Sequence, residues 1–300
     1  MKNIIESIFK LKLLRNKVYQ GQVSGSFNKK QLFGGFIVAQ GISVGYNIVP
    51  DNFFLHNIHV YYLRRGIPNY PVNYEVLENT ESKNFRKLIV SVKQNDVIIS
   101  NISMSFKGPE KSKYLIFTPK FYSKSKFNQL LDFEEILKNP SKVSPILADN
   151  ANKFRNWLQD FPFILRPVDP NIFKDEETPT MSYWFSLKPD IDLSNQNIGI
   201  NQTLIAFLSD YGIVYPLLFR NPTFKTGLVS SLDHNIWFHS NNFDIKQNFL
   251  TENRCLYAND ALTLNISSIS AESGQLIATA TQQGIVRKFT SETTYVPFSH

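Results

Sequence analysis

The chain holds one cysteine, Cys255, in 300 residues. That excludes an internal disulfide and an all-cysteine metal site, and it fits a reducing compartment. No apolar run reaches transmembrane length. The N-terminal stretch is interrupted by Glu6, Lys10 and Lys12, so it does not read as a secretory signal. Charged residues make up only 19% of the chain, with a formal net charge of +7. This is a mild basic excess rather than a nucleic-acid-binding arm, and its field would draw in an anionic small molecule. Histidine is scarce too. His56, His59, His234, His239 and His300 show neither an H-E-x-x-H pattern nor a Cys/His spacing, so no metal site is expected. They read instead as hydrogen-bonding or capping groups at strand ends.

What is present is apolar and aromatic. Hydrophobic residues make up 42% of the chain and phenylalanine alone has 25 copies, enough for a packed core in two ordinary domains. The two halves also echo each other. Leu55-His56-Asn57-Ile58-His59 in the first half answers Asp233-His234-Asn235-Ile236-Trp237 in the second. Each follows a helical apolar stretch and leads into a strand-rich run, ending at Gly108 and Gly284. The intervals, His56 to Gly108 and His234 to Gly284, are 52 and 50 residues. Matched order and spacing point to a duplicated unit, and the seam of such a unit is a natural binding site.

Residues 33–49 read as a helix closed by Pro50, with an unusual load of small residues: Gly34, Gly35, Ala39, Gly41, Ser43 and Gly45. Mid-helix glycine costs ~1 kcal/mol relative to alanine, a cost tolerated where a neighbouring backbone must come close. Strands are expected over 54–64, 72–78 and 85–106, the last with a turn at Gln94-Asn95-Asp96. Residues 109–180 read as a connection with short helices near 133–137 and 154–158. A strand at 181–187 then precedes a buried helix over 202–219, kinked or ended at Pro216. Strands over 229–239, 255–270 and 275–288 complete an α+β pattern of helix then antiparallel strands, twice over.

Several local motifs bear on chemistry. Gly41-Ile42-Ser43-Val44-Gly45 matches the G-x-S-x-G elbow, but no strand leads into the serine, so helix packing explains it better. Gly34 and Gly35 at a helix start offer free backbone N–H groups suited to an anion or oxyanion. Ser209-Asp210 sits in an apolar helical stretch, where an unpartnered carboxylate is costly. Asp210, Ser231 and Gln282 are a carboxylate, a hydroxyl and an amide that converge on one water or else are three unrelated polar residues.

At these residues the chain resembles the acyl-CoA thioesterase II (TesB-like) family. The resemblance runs from about Tyr19 to Lys288. It includes Phe33-Gly34-Gly35, the run His56 to Gly66, Arg166-Pro167-Val168, Leu208-Ser209-Asp210-Tyr211, the run Ser231 to His239, and the run Gln282 to Arg287. It implies a double hotdog: residues 1–110 as the first unit, 111–180 as the connection, and 181–300 as the second. It implies that Asp210, Ser231 and Gln282 orient a water for direct attack on the thioester of a fatty acyl-CoA, with no cofactor and no acyl-enzyme.

Gly34 and Gly35 are then the oxyanion candidates, and Arg64, Arg65, Lys83, Arg86 and Lys87 the candidate contacts to coenzyme A. The chain departs from the family pattern at Ser82, Ser186 and Gln283. Rival readings are a catalytically silent acyl-CoA-binding paralogue and a hotdog hydratase or dehydratase using a His/Asp pair. The expected partner is acyl-CoA, with no nucleic acid, no membrane span and homo-oligomerisation left open. Family members are commonly peroxisomal in eukaryotes, but Pro297-Phe298-Ser299-His300 is not a Ser-Lys-Leu-type address, which leaves cytoplasm or peroxisome as the expected intracellular location.

Overall fold

The computed structural model describes residues 2–22, 32–68, 70–110, 117–122, 125–172, 179–194, 199–220 and 226–288. The C-terminal residues 297–300, including His300, lie outside them. Helix α1 (Lys2–Phe9) and the strands β1 (Lys12–Arg15) and β2 (Val18–Gly21) precede the first central helix, α2 (Gly34–Tyr46). The strands β3 (Phe54–Tyr62), β4 (Val72–Glu81), β5 (Phe85–Gln94) and β6 (Val97–Lys107) follow. The middle of the chain supplies α3 (Phe133–Ile136), α4 (Pro145–Asp160) and β7 (Phe163–Pro167). The last part holds β8 (Thr180–Leu187), α5 (Ile200–Ser209), α6 (Tyr215–Phe219), β9 (Thr226–Ser231), β10 (Asp233–Phe238), β11 (Phe249–Asn259), β12 (Leu262–Ala271) and β13 (Leu276–Lys288).

The strands form one antiparallel sheet in the order β1-β2-β4-β5-β6-β3-β10-β13-β12-β11-β8-β7, with β9 paired to β13. Its midline is the pair β3·β10, where the two copies of the sequence echo meet each other. Ile58 lies opposite Ile236, its own counterpart, with His59 opposite Asn235 and Asn57 opposite Trp237. A pseudo-twofold axis therefore passes between the two isoleucines. Each half of the sheet curves round one helix, which is the α+β double-hotdog arrangement.

The helices α2 and α5 pack antiparallel in the core. Gly35, at the start of α2, lies against Phe207 near the end of α5, and Tyr46, at the end of α2, lies against Gly199 at the start of α5. From Gly35 to Tyr46 every residue of α2 is buried. The small residues make this possible: a β-carbon on Gly45 would stand 2.6 Å from the Phe106 ring, and one on Gly41 2.5 Å from Ile102 Cδ1. Phe33, Phe36 and Phe207 pack edge to face across the helix pair, with ring centroids 5.1–6.3 Å apart. A closed ring of hydrogen bonds ties the other end. The Leu55 N–H donates to the Tyr46 hydroxyl (3.1 Å), that hydroxyl donates to Gln202 Oε1, and Gln202 Nε2 donates to the Leu55 carbonyl (2.6 Å).

Several boundaries differ from the sequence expectations. The helix read over 202–219 is two helices, and the break falls at Asp210 to Val214 rather than at Pro216. Gly212 takes φ +76° there, a left-handed turn open to glycine. Pro216 instead sits in the first turn of α6, where a missing N–H costs nothing. Asp210 is thus the C-cap of α5, not a mid-helix residue. The strand read over 229–239 is β9 and β10, separated at Leu232. The strand read over 255–270 is a hairpin turning at Asp260 (φ 48°) and Ala261 (φ 65°), a conformation that alanine does not advertise. The short helix near 154–158 extends back to Pro145, and the segment read as a connection also contributes β7, hydrogen-bonded to β8.

One close helix contact is backbone-limited and gives a test. A β-carbon on Gly35 would stand 2.7 Å from the Phe207 carbonyl oxygen, which cannot swing aside, whereas Gly41 faces the mobile tip of Ile102. Gly35→Ala is expected to lose about 1–3 kcal/mol of unfolding free energy. Gly41→Ala, with its gain in helix propensity, is expected to stay within ~1 kcal/mol of the parent. Denaturant unfolding of the two variants checks the order.

Candidate active site

The break after α5 sets Asp210 at the end of that helix, facing the start of α2. The carboxylate is almost wholly buried, its side chain 5% exposed. Gln282, from β13, donates Nε2–H to Asp210 Oδ1 at 2.6 Å, and the Gly35 backbone N–H donates to the same carboxylate. These two donors compensate only part of the burial. Loss of hydration pushes the Asp210 carboxyl up to about 6, with the Gln282 and Gly35 bonds pulling it back down.

The orientation of the Gln282 amide follows from its neighbours. A carboxylate at 2.6 Å needs a donor, so Nε2 must face Asp210 and Oε1 must face away. Nε2 also lies 3.2 Å from His234 Nδ1. That nitrogen must accept, which puts the imidazole proton on Nε2, donated to Ser209 Oγ (2.9 Å). The Ser209 hydroxyl in turn donates to the Ala206 carbonyl at 2.9 Å. Full burial pushes His234 down to about 3. It is neutral, and its 3.8 Å approach to Asp210 is not an ion pair. With both ring nitrogens engaged and no part in the cleft lining, His234 does not reach a substrate, which disfavours a hydratase-type His/Asp pair.

Asp210 and Gln282 open onto a cleft of about 230 Å³ between the two halves of the chain. Gly34, Tyr62, Ser231 and Gln282 surround its polar end. Leu32, Phe33, Ile37, Trp157, Val214 and Val229 line its apolar walls, and Arg64 and Arg65 stand at its mouth. Trp157 is stacked on Tyr211, ring centroids 4.2 Å apart, which stiffens one wall. Ser231 ends β9 opposite Gly284, two residues beyond Gln282. It lines the cleft, but among the described residues no hydrogen bond joins its hydroxyl to Asp210 or Gln282.

The other expected residues separate. Gly34 borders the cleft, whereas the Gly35 N–H is taken up by Asp210, so of the two helix-start N–H groups it is not the one left for an oxyanion. Arg64 and Arg65 are exposed at the cleft, and Arg64 also donates to the Ile98 carbonyl (2.9 Å). Lys83, Arg86 and Lys87 lie outside the lining. Arg86 instead binds the Ser82 and Phe85 carbonyls and covers the Phe53 ring at 4.4 Å, and Lys87 borders a separate surface hollow beside His56. Of the departures from the family pattern, the Gln283 N–H donates to Asp233 Oδ1 (2.8 Å), Ser186 is buried opposite Ile164, and Ser82 closes the β4–β5 turn. None of the three lines the cleft. Sequence reasoning missed His234 as a partner of Gln282 and missed Tyr62 altogether. The echoed position of His234 was a signal for the first; Tyr62, one aromatic among many, gave none. Among the described residues no group of three or more His, Cys, Asp or Glu side chains converges to hold a metal.

Comparison with known proteins agrees with this architecture. The family model "Acyl-CoA thioesterase C-terminal domain" matches residues 140–286. The chain is 29% identical over 293 residues to acyl-CoA thioesterase 2 of Haemophilus influenzae, spanning 96% of this chain and 98% of that protein. The crystal structure of the acyl-CoA thioesterase II TesB2 from Mycobacterium marinum superposes with a TM-score of 0.74 at 19% identity, covering 95% of this chain and 99% of that one. A conserved hot dog-fold protein of unknown function from Alicyclobacillus acidocaldarius superposes with a TM-score of 0.72 at 14% identity, covering 95% and 98%. With the echoed halves, the helix pair and a match along nearly its whole length, the chain is similar to acyl-CoA thioesterases from end to end and shares their double-hotdog fold.

Proposed function

We propose that the protein hydrolyses the thioester of a fatty acyl-CoA to the free acid and coenzyme A, by direct attack of a water held at Asp210. The observation that carries this reading is the Asp210 carboxylate, buried at the polar end of an apolar-walled cleft and held by Gln282 and Gly35. Relatives over the whole chain length bear the name of that activity. On this reading residues 1–110 and 181–300 are the two hotdog units and 111–180 their connection. The second unit supplies the three catalytic side chains and the first supplies the helix start that faces them.

The roles follow from the chemistry. Water is a poor nucleophile toward a thioester at neutral pH, so it needs a base and a fixed approach. Gln282 Oε1 and the Ser231 hydroxyl hold the water, and Asp210 takes its proton as the oxygen bonds to the carbonyl carbon. The carbonyl π pair moves onto oxygen. On collapse that pair returns, the C–S bond breaks, and the thiolate of coenzyme A takes the proton back from Asp210. A carboxyl near 6 suits both halves of this exchange: it is ionised at neutral pH yet basic enough to accept a proton. The apolar walls take the acyl chain, and Arg64 and Arg65 take phosphates of coenzyme A at the mouth. The single, buried Cys255 is consistent with a reducing compartment, cytoplasm or peroxisome, as the place of the reaction.

Asp210→Asn keeps the shape and removes the base, and is expected to lower kcat by roughly 10²-fold or more. A steady-state assay over a ladder of acyl-CoA chain lengths measures this. An Asp210→Asn protein that hydrolyses at the parent rate rejects the mechanism, and a parent that binds acyl-CoA without turnover identifies a silent binding protein.

The active form carries ionised Asp210, so kcat of the parent is expected to rise with pH, about tenfold per unit, up to about 6 and then level off. A profile that is flat from pH 4.5 to 8 excludes Asp210 as the base.

Arg65→Glu is expected to raise KM about tenfold with kcat little changed, a difference of ~1.4 kcal/mol in binding. The effect should shrink in 0.5 M salt as the charges are screened.

A further inference from the structure

Tyr62 is the last residue of β3, and its ring lines the polar end of the cleft. Its hydroxyl oxygen is buried and, among the described residues, has no hydrogen-bond partner. A buried hydroxyl left unpaired is a standing cost to folding, and a phenylalanine would give the same packing without it. The hydroxyl also sits beside the reacting groups. A β-carbon on Gly34 would stand 2.6 Å from the Tyr62 hydroxyl and 2.9 Å from Asp210 Oδ2. The missing side chain of Gly34 thus lets the phenolic O–H and the base close in on the same face of its backbone, beside the cleft that all three residues line.

The proton on that oxygen is secure. Burial, together with the negative charges of Asp210 and Asp233, holds the phenol well above its ordinary range. Tyr62 is therefore a fixed donor and not a second base. Asp210 does not use it, since its own bonds come from Gln282 and Gly35.

We propose that the Tyr62 hydroxyl is a further catalytic group, donating its hydrogen bond to the carbonyl oxygen of the bound thioester as negative charge gathers there. The role is open because the Gly35 N–H is already taken by Asp210. Gly34, which lines the cleft between Tyr62 and Asp210, completes the surroundings of the oxyanion. No proton leaves Tyr62 in the cycle. The attacking water gives its proton to Asp210, the carbonyl π pair rests on the oxygen that Tyr62 holds, and that pair returns when the C–S bond breaks. A donor placed where charge develops strengthens its bond in the transition state and accelerates the step without tightening ground-state binding.

This inference rests on the thioesterase reading of the cleft, and the experiment separates the two. Tyr62→Phe and Asp210→Asn are each assayed for kcat and KM on the preferred acyl-CoA. Each is also titrated with the S-alkyl-CoA thioether of the same chain length, which lacks the carbonyl oxygen. Tyr62→Phe is expected to lose roughly 10²-fold in kcat, to bind the thioether as the parent does, and to unfold at no lower a temperature. Three outcomes overturn the proposal. One is a parent-like kcat for Tyr62→Phe while Asp210→Asn is inactive, which leaves the thioesterase reading intact. The second is thioether binding weakened by the same factor as kcat/KM, which marks a packing role. The third is a Tyr62→Phe protein that fails to fold, which makes the hydroxyl structural. An Asp210→Asn protein that works at the parent rate strikes Asp210 as the base instead, and a parent that binds acyl-CoA without turnover strikes the thioesterase reading.

Discussion

The contact on which the site depends is the close approach of α2 and α5. Gly35 lies so near the Phe207 carbonyl that even a methyl group has no room. This approach carries the end of α5 to the start of α2, and so lets the Gly35 N–H reach the Asp210 carboxylate. Neither helix alone makes the site. A carboxylate at a helix C-terminus faces unpaired carbonyls and the negative end of a dipole, an unfavourable place for charge. Set against the N-terminus of the antiparallel partner, the same carboxylate finds an N–H donor and the positive end of the other dipole. The helix pairing therefore fixes both the geometry and the ionisation of Asp210.

The pseudo-twofold axis offers this arrangement twice, and the chain equips it chemically once. At the opposite end of the helix pair Tyr46 faces Gly199, much as Asp210 faces Gly34 and Gly35. On the strands, Ser105 pairs with Asn57 as Thr281 pairs with Asn235, so the next residues, Phe106 and Gln282, hold corresponding places. Gln282 gives a hydrogen bond to the carboxylate, whereas Phe106 packs edge to face on Tyr46, ring centroids 5.2 Å apart. One end is thus a polar pocket open to a cleft. The other is a closed aromatic contact, sealed by the Leu55–Tyr46–Gln202 ring of hydrogen bonds. Duplication gave the fold its symmetry, and divergence put chemistry at one pole and rigidity at the other.

How far the sequence showed this in advance depends on the kind of information each feature needs. The halves and their strands were legible because periodicity and the His56/His234 echo are local patterns. The glycine-rich α2 was legible because mid-helix glycine has few explanations other than close contact. The break after Asp210 was not, since proline at 216 is the louder signal and Gly212 the one that acts. The hairpin at Asp260-Ala261 was hidden because alanine carries no turn signal. The expected phosphate contacts divided for a similar reason. Composition marks Arg64, Arg65, Lys83, Arg86 and Lys87 alike, and only the course of the chain after β3 sets the first two beside the cleft. His234 and Tyr62 matter through what surrounds them, a property of the fold that no single residue shows.

Asp210 also shows how the site and the stability of the fold pull against each other. Its carboxyl moves from an ordinary 3.8 to about 6 on folding, with burial the largest cause. A carboxyl raised in the folded state favours folding while it is protonated, below about pH 4. That advantage is lost progressively as the pH rises through 6. At neutral pH the ionised group therefore costs about 3 kcal/mol relative to the same group left in water, at 1.36 kcal/mol per unit. The bonds from Gln282 and Gly35 reduce this cost and do not remove it. Were they stronger, the carboxylate would be more stable but too weak a base for water. Were they absent, burial would push the carboxyl higher still and leave less of it ionised at neutral pH. His234 bears on the balance by accepting the second hydrogen of Gln282 Nε2, which holds one amide between two acceptors. The remaining imbalance is carried by the helix packing around it, and the backbone-limited contact at Phe207 lies one turn from the buried carboxylate.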